Sequence, residues 1–250
     1  MIKVRGLKKS FGDKEILKGI DLDVETGQTI VIIGPSGSGK STALRSINLL
    51  ERPEEGTLTI GEKEYNLAKA NSKEIQEIRK ATAMVFQNFS LFENKTALEN
   101  IELPLIKAKG YSKKEAEKTA LSYLEEVGLT EWKDHYPIQL SGGQAQRVGI
   151  ARALALKPEV VLFDEPTSAL DPERVQGVLE LIKKVSKERI TSVIVTHELK
   201  FALEVADEVI FMEGGYIVEK GKAADVLLNP KEERTIKFLG HFADKEEFVI

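Results

Sequence analysis

Residues 29–42 read TIVIIGPSGSGKST, and this stretch decides the fold. Its first five residues, Thr29 to Ile33, are all β-branched, which is typical of a parallel strand buried on both faces. The next eight residues, GPSGSGKS, fit the pattern G-x-x-x-x-G-K-[ST], and a helical run, STALRSINLL, begins at Ser41. The order strand, glycine-rich loop, helix predicts a phosphate-binding loop.

The chemistry of this loop follows from its residue types. Glycines allow successive backbone N–H groups to turn toward phosphate oxygens, and the helix N-terminus adds its positive end. Lys40 can reach the β- and γ-phosphates of a nucleotide, and the Ser41 hydroxyl can bind Mg²⁺. The alternative is a chance glycine-rich turn, which the flanking strand and helix make improbable. The predicted ATP-binding residues of the loop are Gly34, Ser36, Gly37, Ser38, Gly39, Lys40, Ser41 and Thr42.

A second buried strand carries a pair of acids. The stretch VVLFDE at 160–165 places Asp164 at the carboxyl end of a strand, where open α/β sheets bind their ligands. Asp164 can hold Mg²⁺ through water, and Glu165 can act on an attacking water as a general base. The alternative is a strand end with two solvated acids. The phosphate-binding loop favours the functional interpretation.

Hydrophobic periodicity predicts the rest of the architecture. Alternation at Ile2 and Val4, and again over 20–24, predicts antiparallel strands, as does the run 58–60; SVIVT at 192–196 predicts another parallel strand. EGGYIVEKG after 212 predicts a hairpin, and Asn229 with Pro230 predicts the start of a last helix. We expect an α/β protein with a P-loop NTPase (RecA-like) core and an antiparallel β subdomain.

Helical patterns replace strand patterns between Phe89 and about Leu156. Ser112 and Glu115 form a predicted capping box, and apolar residues from 116 to 127 then recur on one helix face. We therefore predict a single domain over 1–250, with an ATPase core at about 1–88 and 157–250 and an inserted α-helical subdomain at about 89–156.

Composition excludes several classes of function. The 36 Lys and Arg residues nearly balance the 40 Asp and Glu residues, so the chain has no broad basic face for nucleic acid. The absence of cysteine excludes disulfides and thiolate metal sites. No stretch approaches the roughly 20 apolar residues of a membrane helix. We also expect no secretory signal, because MIKVRGLKKS lacks a long apolar region.

A second glycine-rich loop, LSGGQ at 140–144, points to a family. Together with GPSGSGKST (34–42), VFQN (85–88), VVLFDEP (160–166), SALD (168–171) and VTHE (195–198), it resembles the ordered motif set of ATP-binding cassette (ABC) ATPases over essentially the whole chain. The resemblance implies that two copies dimerise head to tail and that LSGGQ of one copy closes over ATP held by the other. The alternative for LSGGQ alone is a helix N-cap with glycines for close packing. The residues implied to contact ATP across the dimer are Ser141, Gly142, Gly143, Gln144 and Asp171.

The same resemblance assigns roles to isolated residues. Phe11 matches the aromatic that stacks on adenine, although it can equally be a core residue of the first sheet. Gln87 matches the glutamine that reaches Mg²⁺ and the attacking water, and His197 matches the histidine that contacts the γ-phosphate. The implied catalytic set is Glu165, His197 and Gln87, and the implied metal ligands are Ser41, Gln87 and Asp164. His135 and His241 match no motif and are expected at the surface.

The segment from Leu91 to Leu129 and the phrase FDEPTSALDPE most resemble ATPases of polar amino-acid importers. This implies a peripheral protein on the cytoplasmic face of the cell membrane, with a separate permease and, indirectly, an extracytoplasmic solute-binding protein as partners. Because the chain ends soon after the core, we expect no added regulatory domain. The alternatives are an exporter or cell-division ATPase, a non-transport cassette protein and a small-molecule kinase. LSGGQ would have no purpose in the kinase.

Overall fold

The computed structural model describes residues 1–243 of the chain. Within that range the strands are β1 (Ile2–Phe11), β2 (Lys14–Val24), β3 (Thr29–Ile33), β4 (Glu55–Ile60), β5 (Lys63–Asn66), β6 (Thr82–Val85), β7 (Val160–Asp164), β8 (Ser192–Val195), β9 (Glu208–Glu213) and β10 (Tyr216–Lys222). The helices are α1 (Lys40–Ile47), α2 (Ser72–Ala81), α3 (Ala97–Lys109), α4 (Lys113–Glu126), α5 (Gly142–Ala155), α6 (Pro172–Lys187), α7 (Leu199–Val205), α8 (Ala223–Leu228) and α9 (Glu233–Ala243).

The chain divides into two compact units. The first consists of Met1–Arg79 and the chain from Ser186 onward, and the second consists of Lys80–Val185. No helix in residues 1–243 combines the length and the apolar character that crossing a membrane requires.

The first unit contains an antiparallel sheet with the strand order β2-β1-β4-β5. Ile2 pairs with Val24 and Val4 pairs with Leu22, so the alternating apolar residues face the same side and are buried there. This confirms the antiparallel strands predicted at the N-terminus and at 58–60, because alternation puts one apolar row on the core face.

Parallel strands form the buried centre of the first unit. β3 pairs in parallel with β8 on one side and with β9 on the other, and β10 returns antiparallel to β9. Every residue of β3 and β8 is buried, as their β-branched composition predicts. The predicted hairpin is confirmed, with Gly214 and Gly215 at its turn, both with positive φ.

The second unit combines a parallel strand pair with packed helices. β6 pairs in parallel with β7, and β7 is buried along its whole length. Helices α3, α4 and α5 pack on one another around a shared apolar cluster. The cluster includes the predicted apolar face of α4, which is Ala116, Ala120, Leu124 and Val127.

Capping boxes define the starts of the three helices of this cluster. Ser112 and Glu115 form the predicted box at α4, where the Ser112 side chain accepts from the Glu115 N–H. Thr96 forms the same arrangement with Glu99 at α3, and Ser141 forms it with Gln144 at α5. These boxes satisfy N–H groups that the first helical turn would otherwise leave without partners.

Some elements differ from the sequence expectations. The predicted last helix is present as α9, but its predicted start is wrong: Asn229 is the C-cap of α8, and α9 begins at Glu233 rather than at Pro230. His135 is half-buried rather than on the surface, because its ring packs against Trp132 with the centroids 4.8 Å apart. The side chain of His241 lies outside the described residues. The boundaries proposed for an inserted helical subdomain, 89–156, stay a prediction.

We predict that Leu124→Ala lowers the free energy of unfolding by about 2–5 kcal/mol. Leu124 is fully buried in the cluster of α3, α4 and α5, so truncation removes apolar contacts and leaves a cavity. Urea unfolding followed by circular dichroism measures the change. Leu121→Ala, the same substitution at a half-buried position of the same helix, should cost less. Equal costs would contradict the assigned packing.

Candidate nucleotide-binding and catalytic site

Three glycines give the loop between β3 and α1 its shape. Gly34, Gly37 and Gly39 all have φ between +78° and +146°, which other residues rarely adopt. Two of them also lie against neighbouring backbone. A Cβ at Gly34 would lie 2.1 Å from the carbonyl oxygen of Met212, and a Cβ at Gly39 would lie 2.8 Å from a methyl of Leu17. Conformation therefore requires all three glycines, and space also requires Gly34 and Gly39.

The Lys40 side chain lies within this loop. Its ammonium donates to the carbonyl oxygens of Gly34 at 2.9 Å and Pro35 at 3.0 Å, and the residue is only 4% exposed. A buried ammonium needs acceptors, and the loop supplies carbonyl oxygens for it. Ser41 and Thr42 follow in the first turn of α1 and are half-buried, whereas Ser36 is exposed at the loop tip.

The loop fits an anionic group. Ser38 is 3% exposed, and within residues 1–243 its hydroxyl has no hydrogen-bond partner. Gly39 stands at the N-cap of α1 and has no side chain to accept the N–H groups of the first turn. An orphaned buried hydroxyl, a helix N-terminus without a side-chain cap and a buried ammonium are all donors. A phosphate would supply acceptors for the hydroxyl and for the N–H groups of the first turn, and a negative charge beside the ammonium.

His197 lies at the same edge of the first unit as the loop. β3 and β8 run parallel with Ile32 opposite Val195, and the Thr196 N–H donates to the Ile32 carbonyl at 3.4 Å. The residues that follow the two strands therefore leave the sheet at one edge, and His197 is exposed there.

Phe11 is the last residue of β1 and is 48% exposed. The alternative interpretation as a core residue of the sheet is therefore wrong. Its ring lies 5.0 Å from the ammonium of Lys9, and α1 packs against β1 and β2. The exposed ring face is available for stacking.

In the second unit, a parallel strand pair brings Gln87 and the two acids to one edge. Val85 lies opposite Phe163. Gln87, which follows β6, and Asp164, which ends β7, therefore lie at the same end of neighbouring strands. Asp164 is 1% exposed, and Gln87 is half-buried.

Glu165 has a strained backbone. Its φ is +48°, the left-handed region that is costly for a residue with a side chain. The Ser168 hydroxyl and N–H both donate to the Glu165 carbonyl, at 3.0 and 3.3 Å, and stabilise the turn. Such strain concentrates at functional sites, where the side chain must take one direction.

The LSGGQ loop caps helix α5. The Ser141 hydroxyl accepts from the Gln144 N–H, and the Gln144 side chain accepts from the Ser141 N–H at 2.8 Å. The glycines allow close packing: a Cβ at Gly142 would lie 3.1 Å from Leu170, and a Cβ at Gly143 would lie 3.4 Å from Arg174.

Within one chain, the LSGGQ loop therefore does cap and pack helix α5, as the alternative interpretation predicted. These contacts still leave hydrogen-bond donors of the loop available to another group. Capping uses a lone pair of the Ser141 oxygen, so the hydroxyl proton remains a donor. Asp171 projects its side chain, 75% exposed, at the start of α6 and pairs with Arg174 at 3.6 Å. Ala145, which follows the LSGGQ motif, is buried.

The oxygen donors fit Mg²⁺ only together with a nucleotide. In the described part of the chain no three His, Cys, Asp or Glu side chains cluster closely enough to hold a metal ion. Ser41, Gln87 and Asp164 supply hydroxyl, amide and carboxylate oxygens, which Mg²⁺ accepts when substrate phosphates complete its shell.

Sequence reasoning did not single out two polar residues of α5, Gln146 and Arg152. Both donate to backbone carbonyls of the segment that carries Gln87. They lie six residues apart, which is about 120° around an α-helix, so they share no single face and gave no sequence signal.

Comparisons with known proteins identify relatives of this chain. The ABC transporter family model matches residues 17–168, more than half of the chain. A probable amino-acid import ATP-binding protein of Bacillus subtilis, YxeO, is 51% identical over the full length of both chains. The L-cystine import ATP-binding protein TcyC of Bacillus subtilis is 52% identical over 96% of this chain and 97% of its own.

A solved structure, the dimeric post-hydrolysis state of the ATP-binding cassette MJ0796 bound to ADP and Pi, is 38% identical with a TM-score of 0.79. It covers 89% of this chain and 99% of its own. These similarities confirm the expected α/β fold with a P-loop NTPase core. The chain belongs to the ABC transporter family, as an ATP-binding cassette ATPase.

Proposed function

We propose that this chain is the ATP-hydrolysing subunit of an amino-acid importer and drives uptake through a separate membrane permease. One observation carries the proposal: relatives named as amino-acid import ATP-binding proteins match the whole chain at about 50% identity. This favours import over the exporter, cell-division and non-transport alternatives.

The solute is chosen outside this chain. Relatives of nearly equal identity, 50–52%, are named for L-cystine, glutamine, arginine and glutamate. The identity to this chain does not vary with the named solute, so it singles out none of them. The permease and an extracytoplasmic solute-binding protein therefore select the amino acid, and this chain acts peripherally on the cytoplasmic face of the membrane.

ATP binds first to the loop between β3 and α1. The Lys40 ammonium exchanges its carbonyl partners for β- and γ-phosphate oxygens, and the Ser38 hydroxyl gains the acceptor that it lacks. The exposed Phe11 ring stacks on adenine, a contact worth about 1–3 kcal/mol in base-stacking sites. His197 donates to the γ-phosphate from the neighbouring strand end.

Hydrolysis then depends on groups of the second unit. The Glu165 carboxylate accepts a proton from the attacking water while Gln87 orients that water, and the water oxygen displaces ADP from the γ-phosphorus to release phosphate. Ser41, Gln87 and Asp164 would hold Mg²⁺, which would neutralise charge on the phosphate oxygens.

Two copies of the chain form the working dimer. The related cassette MJ0796 is dimeric with ADP and Pi bound, which supports this arrangement. The Ser141 hydroxyl, the N–H groups of Gly142 and Gly143, and Gln144 close over the γ-phosphate held by the other copy, and Asp171 contacts that copy at the interface. Loss of the γ-phosphate removes these contacts, so the dimer reopens and the permease changes conformation with it.

Glu165→Gln should lower the rate of ATP hydrolysis by about 10²–10⁴-fold, because it removes the general base. ATP affinity should stay near that of the parent protein, and gel filtration with MgATP should show an accumulated dimer. Glu159→Gln, at the opposite, exposed end of β7, is the matched control and should hydrolyse ATP normally. Normal turnover by Glu165→Gln would remove Glu165 from this role.

Ser141→Arg should abolish turnover and leave ATP binding by the monomer almost unchanged, because the LSGGQ loop at 140–144, which we call the signature loop, contacts the partner's nucleotide. Ser122→Arg, at an exposed position of α4, should retain turnover. Lys40→Ala should instead weaken monomer binding by about tenfold or more, since it deletes a charged donor. Isothermal titration measures both affinities. Loss of monomer binding in Ser141→Arg would contradict the trans arrangement.

The transport function is tested by isolating the complex. Tagged Glu165→Gln, expressed in the native host and recovered from detergent-solubilised membranes with MgATP, should carry an integral membrane permease that mass spectrometry identifies. Deleting that permease should abolish uptake of one radiolabelled amino acid. If the tagged protein is recovered only from the cytosol, or together with ribosomes or nucleic acid, the result would contradict the proposed role in an importer.

A further inference from the structure

The segment that carries Gln87 contains unusual backbone strain. Two successive residues, Phe89 with φ +57° and Ser90 with φ +47°, lie in the left-handed region, although neither is glycine. Such a conformation persists only where surrounding groups hold it. We call residues 86–92 the Gln87 segment.

Arg152 of α5 holds the strained residues directly. Its guanidinium donates to the Ser90 carbonyl at 2.8 Å and to the Phe89 carbonyl at 3.4 Å. The same group lies over the Phe92 ring, 5.8 Å from the centroid. Burial lowers the pKa of Arg152, because the buried guanidinium loses solvation by water. The contacts with the two carbonyls and the Phe92 ring compensate for that loss.

Other residues attach the Gln87 segment at both ends. Gln146, fully buried on α5, donates from its side-chain amide to the Phe86 carbonyl at 3.2 Å. Asn100, fully buried on α3, accepts from the Phe92 N–H at 2.8 Å and donates to the Phe92 carbonyl at 3.2 Å. The segment is thus tied to α5 near its start and to α3 at its end, with Arg152 at the strained middle.

Close packing completes the attachment to α5. A Cβ at Gly149 would lie 3.3 Å from the Phe89 carbonyl oxygen, and a Cβ at Gly142 would lie 3.3 Å from the Phe89 ring. The segment therefore contacts α5 at intervals from the first turn of the helix to Arg152. Because α5 begins directly after Ser141, a single helix joins the signature loop to the segment that carries Gln87.

We propose that Arg152 is a positioning residue, which holds the strained Gln87 segment against α5 and so fixes the Gln87 side chain relative to the Ser141 end of that helix. The catalytic consequence rests on the proposed function of Gln87, whereas the positioning itself does not. A helix transmits displacement along its axis, so a shift of the signature loop would reach the Gln87 segment through these attachments, of which Arg152 holds the strained part.

Backbone hydrogen exchange tests the positioning without any assay of function. Arg152→Met keeps the length and apolar packing of the side chain but removes its donors. Peptides covering 86–92 should exchange about tenfold faster or more, as expected when a charged hydrogen bond is lost, while peptides covering β6 should not change. Equal acceleration in β6 would indicate general loosening and would overturn the proposal.

Arg79→Met is the matched control variant. Arg79 also donates to two successive carbonyls, those of Asn48 at 3.4 Å and Leu49 at 2.7 Å, and Leu49 is likewise left-handed with φ +55°. Its loss should change exchange near Leu49 and leave the Gln87 segment protected. If Arg152→Met does not fold, Arg152→Gln, which keeps one amide donor, takes its place.

A double-mutant cycle tests the catalytic consequence. Arg152→Met should lower kcat by about tenfold with little change in KM for ATP, a loss of the size expected for one charged hydrogen bond. In a Gln87→Ala background it should cost less than about twofold, since both changes remove the same contribution. Arg79→Met should change kcat by the same factor in the parent protein and in the Gln87→Ala background.

The outcomes separate the two proposals. Equal losses from Arg152→Met in both backgrounds, or wild-type turnover by Gln87→Ala, would show that Arg152 does not act through Gln87. A parent protein that hydrolyses no ATP would overturn the proposed function instead, and hydrogen exchange alone would then decide the positioning role.

Discussion

Parallel pairing of buried strands is the constraint on which the site depends. β3 pairs with β8 in the first unit and β6 pairs with β7 in the second, so each pair delivers the residues that follow it to one edge. The phosphate-binding loop and His197 share one such edge, and Gln87 shares the other with Asp164 and Glu165. The buried apolar strands thus determine the positions of the polar residues that follow them.

The predictable part of the fold came from patterns that depend on burial. Alternation around Ile2, the buried run of β3 and the apolar face of α4 all have one physical cause, the removal of apolar surface from water. Elements with little buried surface were missed. β5 is mostly polar, and α2 buries only Ile78, so neither carries a clear periodic signal. β6 is four residues long and contains alanine and methionine, which do not distinguish a strand from a helix.

The candidate site was predictable in its residue types but not in its conformations. The motif predicted glycines whose backbone turns toward phosphate, and the structure shows positive φ at Gly34, Gly37 and Gly39. The strain at Phe89 and Ser90 had no sequence signal, because neither residue favours that region. Arg152 had no sequence signal either, because its partners are backbone carbonyls, which every residue carries.

The left-handed backbone at Glu165 has a consequence for selection. Glycine would adopt a φ of +48° without strain, so Glu165→Gly would relieve a conformational cost that the native protein carries throughout its life. It would also delete the carboxylate. Directed evolution for thermal stability alone would therefore favour loss of the carboxylate that we propose as the general base, and a screen that includes turnover is needed to retain it.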